Sequence, residues 1–128
     1  MKVLFIGGTG FISSSVSRMA VQRGFDLYLL NRGMRAVDIP GSKRLIADIQ
    51  HREQVLKAIH GLQFDAVVDW VAFKKEDIER DLELFRGKTG QYVFISSASA
   101  YQKPPMHYLI TEETPLENPF WEYVWEHN

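Results

Sequence analysis

The sequence predicts an α/β fold: a doubly wound parallel sheet with its strands in the order 3-2-1-4-5. Short apolar runs alternate with stretches of helical period, and parallel neighbours need a crossover of that length. The apolar runs are continuous instead of alternating, as in strands covered on both faces. A glycine-rich turn, GGTG, joins the first run to the first helical stretch.

Residues 2–6, KVLFI, form the first strand. Ile12, Val16, Met19 and Ala20 recur at helical spacing, which predicts a helix with those side chains on its core face and Gly24 at its end. Residues 25–30 are the second strand, and residues 44–47 the third, after the turn signal PGS. Residues 51–59 carry Val55, Leu56 and Ile59 on one face and read as a helix stopped by Gly61. Residues 64–71 are the fourth strand. Ile78, Leu82 and Phe85 then mark the core face of a helix reaching Gly87, and residues 91–95 are the fifth strand. From Ser96 onward the pattern becomes a loop rich in proline, serine and charge, including KPP and TEETPLENP. With no internal repeat and no linker, residues 1–128 read as one domain.

The chain has 128 residues, 45% of them hydrophobic, enough for an ordinary core. Fifteen basic side chains against sixteen acidic ones leave a net charge of −1. That balance gives no bulk attraction to nucleic acid or an anionic membrane, so neither is an expected partner. There is no cysteine, hence no disulfide and no thiolate metal site, and the four histidines are scattered. The first apolar run is too short for a signal peptide or a membrane span. The expectation is a soluble, cytoplasmic protein without a metal.

The stretch IGGTGFISSSVSR, residues 6–18, fits two phosphate-loop registers: Gly7, Gly10 and Ser13 as G-x-x-G-x-x-G, or Gly8, Gly10 and Ser13 as G-x-G-x-x-G, each with serine for the last glycine. A turn between strand and helix at the carboxyl edge of a sheet presents unpaired backbone N–H groups, and glycine lets a diphosphate approach the backbone. Serine at position 13 departs from the pattern; it is expected to push the helix out slightly, while its hydroxyl can bond a phosphate oxygen. The alternative is a tight connection that needs glycine for geometry alone.

The second strand leads into LLNRG, where an acidic residue would hold both ribose hydroxyls of NAD. Asn31 has no charge for that, and Arg32 can pair with a 2′-phosphate, so the coenzyme leans toward NADP. Arg32 can equally be an exposed turn residue. Asp48, in IADIQ, is placed to accept from an adenine amino group or to cap the helix that follows. The candidate coenzyme-binding set is Gly7, Gly8, Gly10, Phe11, Ile12, Ser13, Asn31, Arg32, Asp48 and Ile49. Asp69, a charge in the fourth strand, needs a partner; it can face coenzyme or substrate, or accept backbone hydrogen bonds from the next loop, and the structural role is preferred.

Taken together, GGTGFIS, LLNRG, IADI and YVFISSASAY make the chain resemble the amino-terminal part of an extended or atypical short-chain dehydrogenase/reductase, of the NAD-dependent epimerase/dehydratase-like subgroup. The resemblance covers the whole chain in register. It implies a Rossmann-type sheet and an NAD(P)-dependent oxidoreductase or epimerase/dehydratase acting on a sugar nucleotide or similar hydroxylated small molecule. Members are longer, adding strands and a substrate domain, so this chain reads as a truncated part that is inactive alone. Its fifth strand is then an exposed edge that invites pairing with another chain, including a homo-oligomer.

The family's chemistry implies a serine, a tyrosine and a lysine. A tyrosine has a pKa of about 10 in water and needs a nearby cation to act as a base near neutrality. Ser97, four residues before Tyr101 in ISSASAY, resembles the serine; Ser96 or Ser99 can take its place, or the stretch is a serine-rich turn. Tyr123 in FWEYVWEHN matches the tyrosine of Y-x-x-x-K, but His127 stands where lysine is expected. Tyr123 can equally be a packing aromatic beside Trp121 and Trp125. This departure supports an alternative: a non-catalytic NAD(P)-binding regulator or sensor. A third reading is an RNA-binding relative, since some plastid proteins of the superfamily associate with RNA; the charge balance and the lack of a basic aromatic stripe count against it.

Overall fold

The computed structural model describes residues 1–119, which include a five-stranded parallel sheet in the order β3-β2-β1-β4-β5. The elements run β1 (Lys2–Ile6), α1 (Phe11–Gln22), β2 (Asp26–Asn31), β3 (Lys43–Ile46), α2 (Arg52–Ala58), β4 (Phe64–Asp69), α3 (Lys75–Phe85) and β5 (Thr89–Phe94). The Rossmann-type order is therefore the one expected, with strand ends shifted by one or two residues. The chain packs as two compact units, Met1–Ile95 and Ser96–Asn128.

In the first unit the strands bury both faces. Val3 and Phe5 join Leu27, Leu29, Ala66 and Ala20 of α1 in one core cluster; Leu4 and Ile6 join Leu30, Val67, Val55 of α2 and Phe85 of α3 in the other. Successive strand residues point to opposite faces, so a continuous apolar run serves a sheet covered on both sides. Residue Ile39 of the β2–β3 connection is buried in the α1-side cluster.

Two helices bury only part of the face their apolar spacing predicts, Ala20 and Val16 on α1 and Phe85 on α3. On α1 the buried residues are Ser13, Ser17 and Ala20, with Val16 partly buried, while Ile12 and Met19 are exposed. A helix lying this close to the glycine turn has room only for small side chains, and Ser17 Oγ donates to the Gly8 carbonyl at 2.8 Å. On α3 the buried residues are Asp81, Leu84 and Phe85, and Leu82 is exposed. Asp81 takes the central place because it faces another carboxyl group on β4.

In the second unit, a short 3-10 turn spans Ala98–Ala100. Backbone hydrogen bonds from Gln102 to Pro115 and from Lys103 to Glu117 tie the following loop to itself. Among the described residues no helix is long and apolar enough to cross a membrane.

Candidate functional site

The order 3-2-1-4-5 reverses direction between β1 and β4, and in an open α/β sheet ligands sit outside the carboxyl ends of the strands at such a point. The glycine turn after β1 and the turn at 70–72 after β4 meet at that point. Gly7 N donates to Leu30 O at 2.8 Å and Trp70 N to Ile6 O at 3.1 Å, so each turn is tied to a neighbouring strand. Gly7 has φ +98°, and a Cβ placed on it would meet Val71 Cγ1 at 3.0 Å.

The three glycines have different physical reasons. Gly8 has φ +76°, and an added Cβ would lie 2.6 Å from Leu29 Cδ2, so its role includes packing of the turn onto β2. Gly10 has φ −80°, an ordinary value for any residue. An added Cβ there would meet Ser13 Oγ at 3.1 Å and Arg35 Nη1 at 3.9 Å and nothing nearer. A side chain there would press on the Ser13 hydroxyl that accepts from Gly10 N.

The first intrahelical bond of α1 at this end runs from Ser14 N to Gly10 O, which leaves the N–H groups of Phe11, Ile12 and Ser13 at the unpaired helix start. Phe11 and Ile12 are exposed beside them, at 98% and 70%. Ser13 is buried, and its Oγ accepts from Gly10 N at 2.9 Å, tightening the turn. The hydroxyl is thus used by the protein's own backbone, and the helix is not held away from the sheet.

Asn31 ends β2. Its Oδ1 accepts from Gly33 N at 2.9 Å, and its buried Nδ2 has no hydrogen-bond partner among the described residues. Arg32 is exposed. Arg35, which the sequence reading passed over, reaches back to the glycine turn: its Nη1 donates to Thr9 O at 3.5 Å. An exposed loop arginine carries no periodic signal, so only the fold reveals that position.

Asp48 follows β3. Its Oδ1 accepts from Gln50 N at 3.0 Å, its carbonyl accepts from His51 N at 2.9 Å, and its own N–H donates to Gln54 Oε1 at 3.2 Å. It shapes the turn into α2, while the cap position itself is His51. Ile49 packs, partly buried, against the core cluster of Val55 and Ile59.

Asp69 is fully buried at the end of β4. Its Oδ1 accepts from Val71 N at 2.8 Å and Ala72 N at 3.0 Å, and its Oδ2 accepts from Tyr92 Oη at 2.7 Å. The preferred structural reading of Asp69 matches this geometry, since it orders the very turn that abuts Gly7. Burial and Asp69 push the Tyr92 phenol well above its ordinary range, so Tyr92 stays a donor.

In the second unit, Ser97 Oγ accepts from Ser99 N at 3.2 Å and lies 2.7 Å from Ser99 Oγ, opening the 3-10 turn. Tyr123 and His127 lie outside the described residues.

The fold thus brings a glycine turn, a helix start with unpaired N–H groups and the end of β2 to one edge of the sheet. The sequence profile of the NAD dependent epimerase/dehydratase family matches residues 3–126. The chain belongs to that family. UDP-glucose 4-epimerase of Lactobacillus helveticus is 32% identical over 143 aligned positions, covering 95% of this chain and 43% of the relative. The chloroplast stem-loop binding protein of 41 kDa b of Arabidopsis thaliana is 30% identical over 116 positions, covering 80% of this chain and 30% of that one. Among solved structures, UDP-glucose 4-epimerase of Bifidobacterium longum in complex with NAD+ and UDP superposes with a TM-score of 0.74 at 20% identity, over 98% of this chain and 48% of the other. At that identity the likeness is one of fold. The chain spans less than half the length of each of these proteins.

The residues present fit a dinucleotide. The N–H groups of 11–13 have no intrahelical acceptor, and Gly7, Gly8 and Gly10 keep the turn before them largely free of side chains.

Proposed function

We propose that this chain is the coenzyme-binding part, one nucleotide-binding domain, of an NAD(P)-dependent epimerase/dehydratase or reductase of the short-chain dehydrogenase type. Its substrate is a sugar nucleotide or a similar hydroxylated small molecule. The observation that carries the reading is the start of α1, where the N–H groups of 11–13 have no intrahelical acceptor behind a turn in which Gly10, at a φ any residue adopts, carries no side chain. A diphosphate accounts for both. When bound, the coenzyme supplies a reversible hydride acceptor; the residues of this chain bind it and orient it.

In this reading Gly7, Gly8, Gly10, Phe11, Ile12 and Ser13 surround the diphosphate, Asn31 and Arg32 meet the adenosine ribose, and Asp48 with Ile49 borders the adenine. Asn31 carries no charge to hold a pair of ribose hydroxyl groups, and its oxygen already accepts from Gly33 N. With Arg32 exposed and Arg35 against Thr9, this favours NADP over NAD. Ser97 and Tyr123 are the proposed catalytic pair. His127, in the place of the family's lysine, keeps the non-catalytic regulator as the second reading.

Calorimetric titration of NADPH and NADH separately into the chain tests the proposal. NADPH is expected to bind more tightly. Gly10→Ala is expected to weaken binding by about tenfold, or about 1.4 kcal/mol, with little change in the melting temperature. Equal affinities would remove the Asn31 and Arg32 argument, and absence of binding to both would overturn the function.

A further inference from the structure

Two carboxyl groups are buried together between the sheet and α3. Asp69 on β4 and Asp81 on α3 are both fully buried. Asp81 Oδ1 accepts from Arg80 Nε at 2.8 Å, while its Oδ2 has no donor from any described residue. The Asp69 carboxyl is its neighbour and, after burial, the main influence that favours a proton on it. Two carboxylates in contact cannot bond unless one of them holds a proton. Asp69 already accepts from two amides and a phenol, so its oxygens are used as acceptors. The proton belongs on Asp81, which donates from the oxygen that otherwise has no partner.

We propose that this single proton, held by Asp81 and shared toward Asp69, sets the turn at 70–72 against the glycine turn and so positions one wall of the proposed coenzyme site. Asp69 is the positioning residue. It holds Val71 N and Ala72 N with one oxygen, and Val71 Cγ1 comes within 3.0 Å of the Cβ position at Gly7. Loss of the proton places two negative charges side by side in a buried site and drives Asp69 off one set of donors.

The groups that face the pair come from each packed element: Tyr92 from β5, Arg80 from α3, and Asp77, which shares Arg80 at 2.8 Å. From β1 the neighbour in register with Asp69 is apolar Ile6. Arg80 is divided between Asp77 and Asp81, so it does not cancel a second charge. Burial, then Asp69, push the Asp81 carboxyl up to about 7 against the pull of Arg80, which brings proton loss into the neutral range.

The coenzyme consequence rests on the function proposed above, and the experiment separates the two. In the free chain labelled with ¹³C and ¹⁵N, the Asp81 carboxyl carbon is expected to titrate near neutrality, and the Val71 and Ala72 amides to shift with the same midpoint. In Asp81→Asn, whose amide still donates but cannot ionise, those amide shifts disappear. An Asp81 carbon that titrates in the ordinary carboxyl range, or amides that ignore it, would overturn the inference. If the variant does not fold, the wild-type titration alone decides. NADPH affinity is expected to fall by about fivefold or more from pH 6 to 8.5, the lower end of ordinary coupling between sites, and to stay flat in Asp81→Asn. A flat wild-type affinity refutes the link to that site. Complete absence of binding, with the amide shifts present, counts against the proposed function and leaves the proton-holding pair standing.

Discussion

At the scale of single residues, Gly8 and Gly24 separate two effects that sequence alone merges. Both have positive φ, +76° and +78°, so a side chain at either is strained. An added Cβ at Gly24 meets nothing within 4 Å, whereas at Gly8 it meets Leu29 Cδ2 at 2.6 Å, Phe5 Cβ at 3.2 Å and Ser17 Oγ at 3.2 Å. Gly24→Ala is therefore expected to cost about 1 to 2 kcal/mol from backbone strain. Gly8→Ala is expected to cost about 3 kcal/mol or more, because overpacking adds to the same strain. Urea unfolding of the two variants checks this, and equal losses would mean that the packing of the turn onto β2 has been misread. Gly8 and Gly10 sit in the same motif, yet one packs against the core and the other leaves a space. The pattern G-x-G contains no information about which glycine does which.

At the scale of elements, the strands and the Val55, Leu56 and Ile59 face of α2 were legible, whereas the faces of α1 and α3 were legible only in part. A strand buried on both sides announces itself as an unbroken apolar run, as VLFI and LYLL do, and β1 and β2 lie where those runs lie. Helix faces are read by assuming that polar residues point outward, and α1 and α3 break that rule at Ser13, Ser17 and Asp81. The serines are buried because each hydroxyl meets backbone of the glycine turn. Asp81 is buried because it meets Asp69 across β4 and α3. Asp69 itself was recognisable as a charge needing a partner, but the partner, twelve positions away on another element, was not. The Asp81 arrangement has a stability consequence whose sign follows from its raised pKa. Below the unfolded value near 3.8 both states hold the proton, and nothing is lost. Between there and about 7 the unfolded chain releases its proton while the native chain keeps it, so this group makes stability fall as pH rises. Above about 7 the full cost of the buried charge is present. Asp81→Asn removes that dependence. It is expected to match the wild type near pH 4 and to exceed it at pH 8 by roughly 1 to 2 kcal/mol, after allowance for screening by Arg80. Urea unfolding across that range measures the gap, and a constant gap would refute the assignment of the proton to Asp81.

At the scale of the whole molecule, the two outer strands of the sheet differ in how they meet solvent. β3, KRLI, pairs only β2 among the described residues, and it carries Lys43 and Arg44. Lys43 forms an ion pair with Asp26 at 2.7 Å and stands over the Tyr28 ring at 4.8 Å to its centroid. Charge of this kind along an edge disfavours pairing with a further strand, because a second copy would bring like charges together. β5, TGQYVF, pairs only β4 among the described residues and carries neither charge nor proline. Gly90, Gln91 and Phe94 on it are exposed. Thr89 Oγ1 accepts from Gln91 N at 3.3 Å and donates to Gln91 O at 2.8 Å, while the rest of the edge offers another strand a template with no charge to discourage it. The 128-residue chain is thus expected to self-associate through β5 rather than β3. Sedimentation velocity over a concentration series should show a rising mean mass for the wild type. Gln91→Lys, which puts one charge on the open edge, should lower that mass, and Arg44→Gln on the opposite edge should leave it unchanged. Loss of association in Arg44→Gln, or persistence of it in Gln91→Lys, would assign the contact to a different surface. The exposed edge also separates two sources of order in the sheet: β1, β2 and β4 are fixed by apolar burial on both faces, whereas β5 is held on one side by its ladder to β4 and by Tyr92 donating to Asp69. Removing that phenol by Tyr92→Phe would therefore loosen β5 selectively, and the self-association that depends on an ordered edge should fall with it.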